Sequence, residues 1–222
     1  MSTEIVDYMD AIEHLPAGAT LRLPSVSWEE YETLLSDLTD WPGVRVSYDD
    51  GKLEIMSPLP EHEEYKDFIY SLVRAISDES GITVETRGSA TFRQKRKAKG
   101  AEPDTCFYVQ NAQRIIGKRT IDLEVDPPPD VVVEIDTTNE SLSKFNIYAA
   151  VGVQEIWRYD GERAYIYKRA DQVYLEVAAS LAFPSLTSDA LTEFIEQSKT
   201  QGQTAALAAF KQWWRSHSTS AS

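Results

Sequence analysis

The sequence predicts an α/β protein: a mixed sheet flanked by helices, with extra helices at both chain ends. Two observations lead there. Segments with one apolar face at helical spacing recur along the chain, and short apolar runs bounded by Gly, Asp and Pro alternate with them. Helices interleaved with strands in this way imply layers packed on a shared sheet. A length of 222 residues suits one domain with a sizeable core.

The elements follow in order. Ser25 to Leu38 reads as a helix, with Ser27 as cap and Glu29 and Glu30 in the first turn. Val44–Tyr48 and Lys52–Met56 flank Asp49-Asp50-Gly51, whose Gly tolerates positive φ, so these form a hairpin. From Glu61 to Ser77, the residues Tyr65, Phe68, Ile69, Leu72, Val73 and Ile76 make one buried helical face. Strands are predicted at Ile82–Thr86, Ser89–Gln94 and Thr105–Val109. A long connection then closes with Pro127-Pro128-Pro129, a rigid entry to the strand Asp130–Asp136. Thr137-Thr138-Asn139 supplies capping groups for a helix over Glu140–Val151, and Gly152 stops it. Val153–Tyr159 and Ala164–Lys168 form a second hairpin about Asp160-Gly161, followed by Val173–Val177. Ser188–Ser198 and Thr204–Arg215 are amphipathic terminal helices, and the Ser-rich end from Ser216 is expected to fray. The organisation expected is a helical extension over 1–44, a core over 45–198, and a terminal helix and tail over 199–222.

Composition excludes several classes. No apolar run approaches the ~20 residues of a membrane span, and the acidic start (Glu4, Asp7, Asp10) is unlike a signal peptide, so the cytoplasm is the expected compartment. One cysteine and three histidines leave no disulfide framework and no Cys/His zinc site. The net charge of −14 argues against nucleic acid when taken alone. The distribution argues the other way: Arg87, Arg93, Lys95, Arg96, Lys97 and Lys99 fall in one stretch without an acid, ending five residues before Asp104.

Two acids carry the chemistry. Asp104 and Glu134 each adjoin an apolar strand, where an ionised carboxylate is costly unless it pairs or holds a cation. By the period of two, Asp104, Cys106 and Tyr108 share one face, and Asp130, Val132, Glu134 and Asp136 share another. If the two strands are neighbours, Asp104 and Glu134 meet at a sheet edge. There they would hold a hard cation, Mg²⁺ or Mn²⁺, with the backbone carbonyl of Ile135 as a further ligand. Such a cation activates water and neutralises charge on a phosphodiester. Asp130 also follows a proline, but it lies on the same strand as Glu134, ~13 Å away at ~3.3 Å per residue.

Pro103-Asp104, followed by Glu134-Ile135-Asp136, resembles the motif of the PD-(D/E)XK nuclease superfamily. The wider pattern is similar to the Uma2 family of restriction-endonuclease-like proteins. It comprises Met56-Ser57-Pro58 with His62, Glu102-Pro103-Asp104, Val133-Glu134-Ile135-Asp136, and the segment from Lys144 through Tyr148 and Gly152 to Trp157. The resemblance covers roughly residues 45–170 and implies a restriction-endonuclease-like fold and a metal-dependent endonuclease acting on DNA. Asp136 stands where the superfamily has its catalytic Lys; the resemblance shifts that role to Lys144 in the following helix, to orient or deprotonate the water or to stabilise the phosphate. His62 is expected to help place substrate or water, and Asp136 to bind metal through water or to cap the next helix. The six basic residues are expected to grip the phosphate backbone. Two other readings remain: a non-catalytic nucleic-acid-binding module that retains the fold, and a structural role for the acids. Leu207, Phe210, Trp213 and Trp214 suggest a homodimer through the C-terminal helices.

Overall fold

The computed structural model describes residues 8–38, 43–137 and 144–218. The chain begins with α1 (Tyr8–Glu13), β1 (Thr20–Leu23) and α2 (Trp28–Asp37). The hairpin of β2 (Arg45–Asp49) and β3 (Lys52–Met56) follows, then α3 (Pro60–Ser80). Next come β4 (Glu85–Thr86), β5 (Phe92–Gln94), a 3₁₀ turn over Lys95–Lys97, β6 (Lys99–Ala101) and β7 (Thr105–Tyr108). After α4 (Ala112–Ile115) the chain forms β8 (Val131–Ile135), α5 (Phe145–Val151), β9 (Glu155–Tyr159), β10 (Ala164–Ala170) and β11 (Val173–Val177). It ends with α6 (Ser188–Gln201) and α7 (Gln203–His217).

The strands form two sheets rather than one. The first runs β1-β3-β2-β6-β5 and the second β11-β10-β9-β8-β7-β4. Only β8 and β9 run parallel, with α5 as their crossover; all other neighbours are antiparallel. The first sheet was not foreseen as a separate sheet because β1 and β6, four and three residues long, are too short to signal strands on their own. Pairing across sequence makes them strands: β1 joins β3, and β6 fits between β2 and β5. The 1–44 segment, expected to be helical, thus also supplies an edge strand.

Local chemistry accounts for the element ends. Ser27 and Glu30 make the reciprocal capping box of α2. Asp50 (φ 49°) and Gly51 (φ 85°) turn the β2–β3 hairpin with two positive dihedrals, the geometry that matches strand twist. Left-handed Gly81 and Gly152 end α3 and α5. Of the helix predicted over Glu140–Val151, residues 140–143 lie outside the described residues, as do 138 and 139 of the predicted capping segment.

The second sheet positions the site. One face carries Val131, Val133, Ile135, Trp157, Tyr159, Ala164 and Ile166, all buried beneath α3, α6 and α7. The opposite face carries Cys106, Val132 and Ile156, covered by Ile147, Tyr148 and Val151 of α5. A separate core joins the first sheet to Trp28, Tyr31 and Leu34 of α2. The large residues of α7 serve the chain's own packing: Phe210 and Trp214 are buried, Leu207 and Trp213 pack on the same core, and Trp214 Nε1 donates to Ser80 Oγ at 2.8 Å. The apolar groups that suggested a dimer face are therefore largely covered within the chain.

Candidate active site

Strands β7 and β8 pair with Thr105 opposite Val133 and Cys106 opposite Val132, so one further step brings Asp104 level with Glu134. The Ile135 N–H donates to Asp104 Oδ2 at 2.7 Å, fixing the carboxylate across the strand junction. Both acids are 1% exposed. They lie on the α5 face, beyond the apolar patch of Cys106 and Val132, at the end where the helix enters.

Helix α5 closes the site over Glu134. Lys144 Nζ donates to Glu134 Oε2 at 2.9 Å, and the Tyr148 hydroxyl donates to Oε1. Lys144 and Tyr148 are four residues apart, the spacing that aligns two side chains on one helical face. Burial pushes the Glu134 carboxyl up to about 7; Asp104 and Asp136 add to the shift, while Lys144 and Tyr148 oppose it. Burial disfavours the Lys144 ammonium, but Glu134, Asp104 and Asp136 outweigh that and hold it above the ordinary lysine value. Lys144 is therefore a fixed charge and donor at neutral pH, not a poised base.

The other predicted groups have partners of their own. Asp136 is buried and accepts from Arg158 Nε. His62 is 1% exposed; Nε2 meets Thr137 Oγ1 at 2.7 Å, and Nδ1 is buried without a hydrogen-bond partner. Asp130 is engaged elsewhere, accepting from the Val109 and Asn111 N–H groups and from Asn111 Nδ2, which gives it a structural role. Glu102 binds Thr91 and the Val46 N–H rather than lysines. Two neighbours were not foreseen. Tyr148 was legible in its spacing from Lys144. Arg45 was not, because only the fold brings β2 here: its Nη2 binds Glu63 Oε1 at 2.9 Å, and its Nε lies 3.7 Å from Asp104 Oδ1.

The donor set fits a hard divalent cation. Asp104 Oδ1 is buried with no hydrogen-bond partner, and the charges of Asp104 and Asp136 add to the upward shift of the buried Glu134 carboxyl. A cation offsets both costs, and carboxylate and carbonyl oxygens are the donors Mg²⁺ and Mn²⁺ take. Side chains supply few ligands: no cluster of three or more His, Cys, Asp and Glu suited to a metal occurs among the described residues. Main-chain oxygen such as that of Ile135, together with water or substrate, would complete the shell.

Side chains of the basic stretch meet partners within the fold, with Lys95 and Arg96 still exposed. Arg87 donates to the carbonyls of Thr86 and Ile115 and pairs with Glu85. Lys95 pairs with Glu29, Arg96 with Glu124 and Lys99 with Asp49, while Lys97 donates to the Ala150 carbonyl. Arg93 makes no ion pair among the described residues and lines a groove of about 850 Å³ with Trp28 and Arg119.

No curated protein sequence matches the chain. A solved structure described as "a putative nuclease belonging to DUF820 from Anabaena variabilis ATCC 29413" is similar over 68% of this chain and 90% of its own, at 16% identity and a TM-score of 0.47. The Uma2 family model, described as "putative restriction endonuclease", matches residues 28–198. The chain, with its mixed α/β architecture, belongs to the Uma2 family of restriction-endonuclease-like proteins.

Proposed function

We propose that the protein is a Mg²⁺- or Mn²⁺-dependent endonuclease that hydrolyses phosphodiester bonds of DNA. The observation that carries this reading is the meeting of Asp104 and Glu134 on adjacent strands, with Lys144 against Glu134. Asp104, Glu134 and the Ile135 carbonyl would hold the cation, which when bound supplies an activated water and neutralises charge on the attacked phosphate. Lys144 orients that water and donates to the phosphate oxygens as charge builds on them. Tyr148 fixes the Glu134 carboxylate, and the Ile135 N–H fixes that of Asp104, so little reorganisation accompanies reaction. His62, whose Nε2 is held at Thr137 Oγ1, leaves its Nδ1 as a group for placing substrate or water, and Asp136 holds Arg158 beside the acids.

A second reading, a nucleic-acid-binding module without turnover, is favoured by one feature: Glu134 Oε2 already holds Lys144 in a buried ion pair. Thermal melts with and without Mg²⁺ and Mn²⁺ on wild type and on Asp104→Asn/Glu134→Gln test the metal site. Metal at ten times its Kd adds ~1.4 kcal/mol to the native state, so wild type should shift upward and the double variant should not. An equal shift in both would refute the site. A metal-dependent shift in wild type without cleavage of any DNA under either ion would leave the binding module standing instead.

A further inference from the structure

Sheet register carries the row of the proposed acids outward onto a surface that the sequence did not single out. Asp104 is level with Glu134, Glu134 pairs with Arg158 on β9, and Arg158 pairs with Tyr165 on β10. Directly opposed residues share a face, so acid, acid, guanidinium and aromatic ring stand side by side across four strands. Neighbouring strands lie ~4.8 Å apart, which puts Arg158 about one strand and Tyr165 about two strands from Glu134.

The local contacts differ along that row. Arg158 is fixed: its Nε donates to Asp136, its side chain is 13% exposed, and its guanidinium carbon lies 5.7 Å from the Tyr165 ring centre. Arg163, from the β9–β10 turn, lies 5.2 Å from the same ring centre. Its own ion pairs, to Glu176 and Asp189, are each 3.9 Å long, and its side chain is 51% exposed. The Tyr167 ring stands 6.2 Å from that of Tyr165 in a nearly parallel plane. A half-buried ring with one fixed and one loosely held guanidinium over it can accept a flat π-system once Arg163 moves aside.

We propose that Tyr165, with Arg158 and Arg163, is the subsite for the unpaired nucleotide next to the phosphate at Asp104 and Glu134. The base stacks on Tyr165 in place of the Arg163 guanidinium, and the two arginines take the adjoining phosphates. The subsite deepens the nuclease reading by naming its substrate class: a strand with an unstacked base at the cut, as in single-stranded DNA, a flap or an overhang. An intact duplex keeps its bases stacked inside and offers none to the ring.

The test is fluorescence anisotropy of a labelled oligothymidine strand, and of the same strand annealed to oligoadenosine, with chelator present so that nothing is cut. Tyr165→Ala should weaken single-strand binding by about tenfold and duplex binding by less than about twofold. Tyr165→Phe and Tyr165→Trp, which keep an aromatic ring, should bind the single strand within about twofold of wild type. Unchanged single-strand binding by Tyr165→Ala would overturn the subsite, as would equal losses on both probes or a wild type that binds neither. The metal melts separate the two ideas. A loss of strand binding in Tyr165→Ala without any metal shift in wild type faults hydrolysis and keeps the subsite, whereas a metal shift with unaltered strand binding does the reverse.

Discussion

Glu134 is the residue on which the site's electrostatics turn. Its carboxyl is raised to about 7, chiefly by burial, against an ordinary value near 4.5. A raised carboxyl favours the protonated form in the folded state. Its contribution to stability is therefore complete below about pH 4.5 and is lost as pH rises through about 7. Without metal, wild type should melt at progressively lower temperature across that window, and Glu134→Gln should lack this component; parallel pH profiles for the two would contradict the assignment. Metal binding draws on the ionised form, so apparent metal affinity should climb with pH and level off above about 7. Lys144→Met leaves Glu134 buried without its cation. It should lower stability by about 3–5 kcal/mol at pH 8, and by less near pH 5, where Glu134 carries a proton. Denaturant melts at both pH values would read this difference.

At the scale of elements, close packing between short segments matters more than their own propensities. Gly100, in the three-residue β6, lies against the buried Tyr31 of α2, and a Cβ there would strike the ring and its hydroxyl. Gly100→Ala should cost about 1–3 kcal/mol by calorimetry although its backbone suits alanine; a neutral result would mean that α2 shifts freely on the sheet. The capping box of α2 gives a smaller, local effect: Ser27→Ala should cost about 1 kcal/mol. Helix α7 binds α3 through Trp214 and Ser80 and through the pairing of Arg215 with Glu79. A chain ending at Gln201 uncovers Phe194 and Ile195 and should lose thermal stability and bind a hydrophobic dye. Size-exclusion chromatography of the whole chain should show its oligomeric state unaffected by charge reversals on the exposed face of α7.

For the whole molecule, the two sheets divide the work. The second buries one face completely and gives the other to α5, so its outer row is where acids, arginine and tyrosine lie together. The first sheet, docked through β6 and β5 against α5, brings Arg45 and Glu102 to the same region. No helix among the described residues is long and apolar enough to cross a membrane.

The sequence alone determined the strand carrying Glu134, the long α3, the terminal helices, and the face shared by Asp104 and Cys106. Each of these rests on local periodicity or capping, which neighbours along the chain encode. It also singled out Asp104 over Asp130 by distance along one strand, and Tyr148 was within reach through its spacing from Lys144. The tertiary structure alone decided that β1 and β6 are strands, because a segment of three or four residues becomes a strand only when a partner supplies the ladder. It alone brought Arg45 to Asp104 and set Glu134, Arg158 and Tyr165 in register. It also paired most of the basic stretch with the chain's own acids and carbonyls. Charge read along a sequence has no partners until the fold supplies them, and a row across four strands is written at no single place in the chain.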